Sequence, residues 1–354
     1  MDCNEKMKKT INEKKNIVIS DSRKNELESF MKKLNSNSKI KFDIKVHIAD
    51  LTLKGIFKET RRYLSYFLVP IYYFLKRNNY NVIVGWQQFY ALIFCFYCSL
   101  FHVKKKNIVV AWNFTYKERK GKFKNLYLKF MKKCVESGYL DLIHVPSAQY
   151  AEKFCKEFNY PMECVIVAPF GIVDNYEIYK KLDRPIEFKD KKYYLAIGRS
   201  NRDYDFLIKS WKNISTTLVI ASDTYSKEIQ NENIVLKKNI SADTQYKWIN
   251  NAESVILPID NGEICSGDTV LLTAMSLEKI VIVTIPSTLA EMYIKDKENG
   301  LVVEKNVMDL KKIVQEIETG KYDFLRQNAR NCFVENYTRE RMGETLAAAI
   351  NDFL

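Results

Sequence analysis

Residues 254–284 read SVILPIDNGEICSGDTVLLTAMSLEKIVIVT. Ser254–Leu257 and Ile280–Thr284 are short runs rich in β-branched residues, bounded by polar or turn residues, the pattern of a strand buried on both faces. Between them a polar turn, Asp260-Asn261-Gly262, precedes a segment in which Val270, Leu271, Ala274, Met275 and Leu277 form the apolar side of a helix. Strand, helix and strand in that order predict a βαβ unit and a parallel sheet. The helix opens at Ser266-Gly267-Asp268-Thr269. Ser266 and Asp268 are good caps, and Gly267 lets a ligand approach the backbone. The unpaired first-turn N–H groups, with the positive end of the helix dipole, suit a phosphate or diphosphate. An ordinary capped helix would look the same.

The alternation continues on both sides. Tyr193–Ile197, Thr217–Ile220, Asn233–Leu236 and Leu301–Val303 read as further strands, with helices expected near 203–212, 242–251, 268–277 and 287–295 and two or three more in 306–354. The N-terminal half repeats it with Asn16–Ser20, Ile44–Ile48, Asn81–Val84, Asn107–Ala111, Leu142–Val145 and Val165–Ala168, separated by helical stretches such as Arg23–Leu34 and Phe123–Glu136. Residues 172–192 are polar, hold Pro185 and lack periodicity. The expectation is an α/β protein of two facing Rossmann-like domains with parallel sheets. The domains are residues 1–175 and 192–354, joined by a linker at 176–191, with the last helix available to pack back on the N-terminal domain. Parallel sheets bind ligands at the carboxyl ends of their strands, and two facing sheets would make a cleft for two substrates.

A chain of 354 residues suits two domains. With 47% apolar and 28% charged residues, wholesale disorder is excluded. The net charge of +13 is uneven: residues 1–180 carry +15 and the remainder −2. A basic half calls for an anionic partner. No helix-turn-helix spacing, zinc finger or ribonucleoprotein motif supports nucleic acid, so an anionic membrane surface is the expected partner. Two apolar runs, Tyr63–Leu75 and Phe89–Phe101, are too short to span a bilayer. They read either as core helices or as an interfacial surface, since Lys58, Arg61, Arg62, Lys76 and Arg77 flank the first and Lys104-Lys105-Lys106 follow the second. The charged N-terminus shows no apolar signal region. The expected location is therefore cytoplasmic, peripheral at the inner membrane face. Eight scattered Cys read as reduced thiols, with Cys95 and Cys98 in core packing. His47, His102 and His144 have no metal-ligand spacing, so no metal site is expected.

Two more segments lie at predicted strand exits. Gly198-Arg199-Ser200-Asn201-Arg202 follows Tyr193–Ile197, and Arg forks match diphosphate oxygens; the bland alternative is surface Arg balanced by Asp203 and Asp205. Trp86 and Gln87 follow one N-terminal strand, and Trp112 and Asn113 the next. Trp can stack on a sugar while Gln and Asn bond its hydroxyls. Otherwise each Trp simply caps the core.

Three segments together resemble the retaining GT-B glycosyltransferases of glycosyltransferase family 4. They are Val167-Ala168-Pro169-Phe170-Gly171-Ile172-Val173-Asp174; Ala196-Ile197-Gly198-Arg199 with Asp205-Phe206-Leu207-Ile208; and Ser266-Gly267 with Leu271-Leu272-Thr273-Ala274-Met275, running on to Ile280–Thr284 and Asn299–Val303. The likeness is clear over the C-terminal half. Over the N-terminal half it rests on strand pattern and Val145-Pro146-Ser147. It implies a nucleotide-sugar donor held by Gly198, Arg199, Arg202, Ser266, Gly267, Asp268, Thr269 and Thr273. It also implies an acceptor on the N-terminal domain, for which Trp86, Gln87, Trp112 and Asn113 are the candidates, and neither cofactor nor metal. Arg199 and Arg202 stand where the family places cations on the donor diphosphate, and are the catalytic candidates. The family's paired Glu would fall on Cys265 and Thr273, so both carboxylates are missing. The expected function is hexosyl transfer, with retention, to a saccharide or lipid-linked saccharide in surface polysaccharide or glycoconjugate synthesis. The alternative is a catalytically weak or inactive nucleotide-sugar-binding partner of another glycosyltransferase.

Overall fold

A computed structural model of the chain describes residues 14–48, 56–116, 121, 124–240 and 244–354. The N-terminal stretch 1–13, Phe123 and the Lys58 side chain lie outside the described residues. The strands are β1 (Lys15–Ser20), β2 (Phe42–Val46), β3 (Tyr80–Gly85), β4 (Ile108–Ala111), β5 (Leu142–Val145), β6 (Val165–Val167), β7 (Tyr193–Ile197), β8 (Thr217–Ala221), β9 (Ile234–Lys237), β10 (Ser254–Leu257), β11 (Ile280–Ile285) and β12 (Leu301–Glu304). The helices are α1 (Glu28–Asn37), α2 (Ile56–Leu75), α3 (Gln88–Leu100), α4 (Lys124–Val135), α5 (Ala148–Phe158), α6 (Tyr176–Tyr179), α7 (Tyr204–Ser210), α8 (Gln245–Asn251), α9 (Asp268–Ser276), α10 (Thr288–Tyr293), α11 (Val307–Glu318), α12 (Phe324–Asn336) and α13 (Arg339–Phe353). Every predicted strand forms. The largest shift is in β2, which starts two residues early because Phe42 is buried and Ile48 is exposed.

The chain divides into two units, Met1–Phe170 with Arg339–Leu354, and Gly171–Thr338. The first holds a six-stranded parallel sheet of order β2-β1-β3-β4-β5-β6. Alternate residues point to opposite faces. Ile17, Ile19, Ile83, Val109 and Ile143 pack on one side with α2, α3, α4 and α5. Val18, Val82, Val84, Val110 and Leu142 pack on the other with α1 and α13. α3 is a core helix, and Cys95 and Cys98 lie in it as free buried thiols whose pKa values burial raises. The second unit holds a parallel sheet of order β12-β11-β10-β7-β8-β9.

The unit boundaries differ from the sequence expectation at two places. Residues 171–191, read as a linker, belong to the second unit. The Asp174 carboxylate takes two hydrogen bonds from Arg330 at 2.8 and 2.7 Å, Ile172 donates to the Tyr337 carbonyl, and Phe188 is buried against Tyr193 and Trp248. Local polarity and Pro185 hide these tertiary anchors. Residues 339–354, numbered with the C-terminal domain but expected as a last helix able to pack back on the N-terminal one, cluster with the first unit. Met342, Leu346, Ala347 and Ile350 of α13 close the core over α1. The approach is close enough that a Cβ on Gly343 would overlap the Phe30 carbonyl. Gly343→Val should therefore destabilise the first unit by about 1–3 kcal/mol through overpacking against backbone. A urea transition with an unchanged midpoint would mean that α13 does not seat this closely.

Candidate functional site

In each sheet the strand order reverses beside the first strand of that unit, and ligands bind at such switch points, outside the strand carboxyl ends. In the second unit the reversal lies between β7 and β10. The chain after β7 is Gly198–Asp203 and the chain after β10 runs from Pro258 to Gly267. The two exits are stitched together. Asp203 N–H donates to the Pro258 carbonyl at 2.7 Å, and Arg202 bridges to Ile259. Asn201 adopts left-handed backbone, φ 55°. Its Oδ1 accepts from Asn261 N–H at 2.7 Å, and its Nδ2 lies within 3.2 Å of the Asn261 carbonyl, the Ile264 carbonyl and Ser266 Oγ. Lys305, just after β12, bonds Asp203 Oδ2 at 3.1 Å and the Asp260 carbonyl at 3.0 Å.

Arg202 occupies the centre of this joint. A Cβ on Gly198 would come within 2.8 Å of its Nε, and one on Gly267 would overlap its Nη2. Both glycines hold positive φ, 156° and 109°, so space and backbone each demand glycine. Arg202 Nη1 makes long bonds to the carbonyls of Ser200, Asn201 and Ser266 at 3.2–3.4 Å. Its Nε is buried without a partner among the described residues. Burial pulls its pKa down, opposed by Tyr204 and by the Asp268 carboxylate. A buried, under-satisfied guanidinium lacks compensation for its desolvation until an anion meets it.

Gly267 is the N-cap of α9 and offers no side chain to cap it, so the first-turn N–H groups remain donors. Asp268 is half-buried and Thr269 exposed. Arg199 is exposed, its Nε 3.3 Å from Asp223, and its carbonyl accepts from Thr224 Oγ1 at 2.7 Å. Gly198, Arg199, Ser222, Asp223, Gln245 and Val270 line a cavity of about 280 Å³ at the exits of β7 and β8. Thr273 is buried in α9, three residues beyond Val270 and so on the same helix face. Cys265 Sγ contacts Asp268 Oδ1 at 3.6 Å and Met292 Sδ at 3.7 Å. All eight donor candidates thus fall in one neighbourhood. Asn201 and Lys305 belong to it and escaped the sequence reading. The available signal was an Asn between two Arg at a strand exit.

In the first unit the acceptor candidates need correction. Trp86 and Trp112 are core side chains. Trp86 packs edge-on to Phe30 at 4.9 Å, with the Arg339 guanidinium 4.7 Å over its ring. Trp112 stacks on His144 at 4.0 Å. Burial drives the His144 pKa down to about 3, so the ring is neutral. Nδ1 accepts from Asn113 N–H, which leaves Nε2 to donate to the Ala168 carbonyl. Both indoles fill the volume beneath their loops and present no face to a sugar. Among the described residues the Asn113 side chain reaches only the Trp86 carbonyl, at 3.4 Å, and its Oδ1 is buried without a partner. Gln87 remains at the switch point between β1 and β3. It caps α3 and bonds Tyr66 Oη at 3.2 Å. It also bonds Asp21, whose carboxyl is raised by burial against the lowering effects of its own backbone N–H, Gln87 and Arg62. Asp21, the first residue beyond β1, is the polar group that the sequence reading missed. Among the described residues no group of three His, Cys, Asp or Glu could hold a metal ion.

Two parallel six-stranded units of this topology define a GT-B protein, the two-domain glycosyltransferase fold. Residues 191–319, within the second unit, match the family described as glycosyl transferases group 1. Among solved structures, the chain is similar to HepE from Anabaena in complex with UDP, at 12% identity and TM-score 0.66, covering 96% of this chain and all of that one. It is similar also to the lipopolysaccharide outer core galactosyltransferase WaaB, at 16% identity and TM-score 0.62 over 96% of this chain and all of that one. A third is WaaG, a glycosyltransferase involved in lipopolysaccharide biosynthesis, at 13% identity and TM-score 0.58 over 94% and 98% of the two chains. No curated protein sequence matches the chain.

The glycine cradle can be checked without any ligand. Gly267→Ala should cost about 1–3 kcal/mol through positive-φ strain and collision with Arg202. In a double-mutant cycle, Arg202→Ala should recover about 1 kcal/mol of that cost by vacating the space. Strict additivity would place the guanidinium elsewhere.

Proposed function

We propose that the chain moves a hexosyl group from a nucleotide sugar to a saccharide or lipid-linked saccharide, with retention and without a metal ion. The reaction belongs to surface polysaccharide or glycoconjugate synthesis of the bacterial type and runs on the cytoplasmic side, peripheral to the inner membrane face. The observation that carries this reading is the Arg202 guanidinium, set between Gly198 and Gly267 with no partner for Nε among the described residues, beside a helix N-terminus without a side-chain cap. When the anomeric C–O bond breaks, charge accumulates on the leaving diphosphate. Fixed cations and N–H donors already aimed at that place are worth several kcal/mol, about 3 for a single donor. Arg199 adds a second fork at the cavity rim, where it would exchange Asp223 for phosphate oxygens. The new bond forms from the acceptor oxygen to the anomeric carbon on the face the diphosphate leaves, and a diphosphate oxygen takes the acceptor proton. Backbone N–H groups and hydroxyls of Ser266, Gly267, Asp268 and Thr269 donate to phosphate, and Thr273 binds the donor ribose. Since HepE is described with UDP and with UDP-glucose, uridine nucleotides head the list to test.

A second reading has its own support. Cys265 and Thr273 stand where the resemblance puts carboxylates, and partial burial of the sulfur together with Asp268 pushes the Cys265 thiol up to about 12. Neither residue supplies a negative charge, which suits a binder with little transfer activity.

Calorimetric titration with UDP and a panel of nucleotide sugars separates the readings. Arg202→Ala and Arg199→Ala should each weaken UDP at least about tenfold, the worth of one charge-assisted bond. Donor hydrolysis or transfer that survives a chelator, with the product's anomeric configuration unchanged by NMR, is the expected outcome. Tight binding with no turnover of any donor would favour the binder. If Thr273→Val leaves affinity and turnover unaltered, the ribose contact is wrong. UDP affinity indifferent to both Arg changes would remove the diphosphate site itself.

A further inference from the structure

The outward side of α2 breaks the usual rule that a helix on a sheet is polar towards water. Leu64, Leu68 and Leu75 are 54%, 55% and 70% exposed, and Phe67, Ile71 and Tyr72 lie open beside them. Their spacing forms one stripe opposite the buried Tyr66, Tyr73 and Phe74. The stripe continues onto neighbouring helices. Phe101, 59% exposed at the end of α3, stacks on Phe74 at 5.3 Å. Phe67 meets Phe130 of α4 at 6.3 Å, and Leu126, one turn before Phe130, is 65% exposed. An apolar surface carried by three helices is far larger than the isolated apolar residues normal on a monomer.

Its charge has one sign. From Thr60 to Leu75, through α3 and through α4, there is no Asp or Glu. Cations border the stripe: Lys76 Nζ is 4.4 Å from the ring centre of Tyr72 within it, Arg77 4.8 Å from the buried Phe74 behind it, and Lys133 5.4 Å from Phe96 of α3. Arg61 and Arg62 stand at the other end. Lysine and arginine stems covering apolar surface with their heads held outward, beside Tyr and Phe, match the headgroup level of a bilayer. A second copy of the chain would set these cations against their own kind. Among the described residues no helix is long and apolar enough to cross a membrane.

We infer that this face of α2, extended by the end of α3 and by α4, is a docking surface for an anionic phospholipid leaflet. The stripe lies in the interface, and the bordering cations pair with lipid phosphates. This deepens the peripheral location proposed above and rests on it for the choice of leaflet.

The full chain should sediment with vesicles of equal phosphatidylcholine and phosphatidylglycerol, and at least about tenfold less with phosphatidylcholine alone, with release by salt. Leu68→Asp/Leu75→Asp, at exposed positions, should cut sedimentation at least about tenfold with the same thermal transition and the same UDP affinity. Lys76→Gln/Arg77→Gln should weaken binding to the anionic vesicles selectively. Failure to sediment with either vesicle would overturn the inference, as would sedimentation of the Asp variant equal to the parent's. A dimer in light scattering that the Asp variant dissolves would assign the face to a second copy. UDP binding is read on the same samples. Vesicle failure with UDP retained therefore sinks this surface alone, and the reverse pattern sinks only the donor site.

Discussion

A parallel sheet tolerates water on neither face, because its strands are joined by helical crossovers and read as apolar on both sides. Each unit obeys this constraint, and much of the structure follows from it. In the first unit the side bearing Val18, Val82 and Val110 receives α1 from the local crossover, which is too little to cover six strands. α13, the last helix of the chain, supplies the remainder, with Gly343 letting it settle onto the Phe30 backbone. The unit boundary in space thus departs from the boundary in sequence, since the cover must come from wherever an amphipathic helix is available. The same constraint puts every strand exit at one end of each sheet, which is why Gly198 and Arg202, after β7, meet Gly267, after β10, at one point.

That geometry explains what the sequence reveals and what it hides. Strands are legible because burial on both faces demands short apolar runs rich in Ile, Val and Leu; the edge strand β2 alternates instead, with only Phe42 buried. Arg199, Arg202 and the Ser266–Thr269 helix start are legible because strand exits and helix starts are marked locally by Gly and polar residues. The hidden features depend on tertiary contact. Asn201 looks like loop filler, yet it ties the β7 exit to the β10 exit through four polar contacts. The polar segment 171–191 looks detached, yet the Asp174–Arg330 pair and Phe188 anchor it. Trp86 and Trp112 sit at strand exits as ligand-binding aromatics do. Their bulk is used to seal the core, with His144 held neutral beneath one and Arg339 laid over the other.

The outer face of α2 is the exception that the burial constraint makes visible. Its inner side does what the sheet requires, through Tyr66, Tyr73 and Phe74. The outer side is under no such demand, and polar residues there would carry no cost. Apolar side chains retained in water forgo about 25 cal/mol for every Å² left uncovered. Their alignment into one stripe, with no acid from Thr60 to Leu75 or in α3 and α4, is therefore a property of the surface and independent of the core.

The missing carboxylates at Cys265 and Thr273 acquire a physical meaning beside Arg202. The Asp268 carboxylate acts on that guanidinium from the first turn of α9, where the helix dipole already favours negative charge. With neutral groups at 265 and 273, the local charge around Arg202 is more positive than two glutamates would leave it. On the proposed function, an incoming diphosphate would meet less competition for the guanidinium and for the first-turn N–H groups, and the donor sugar and ribose would lose acceptors in exchange.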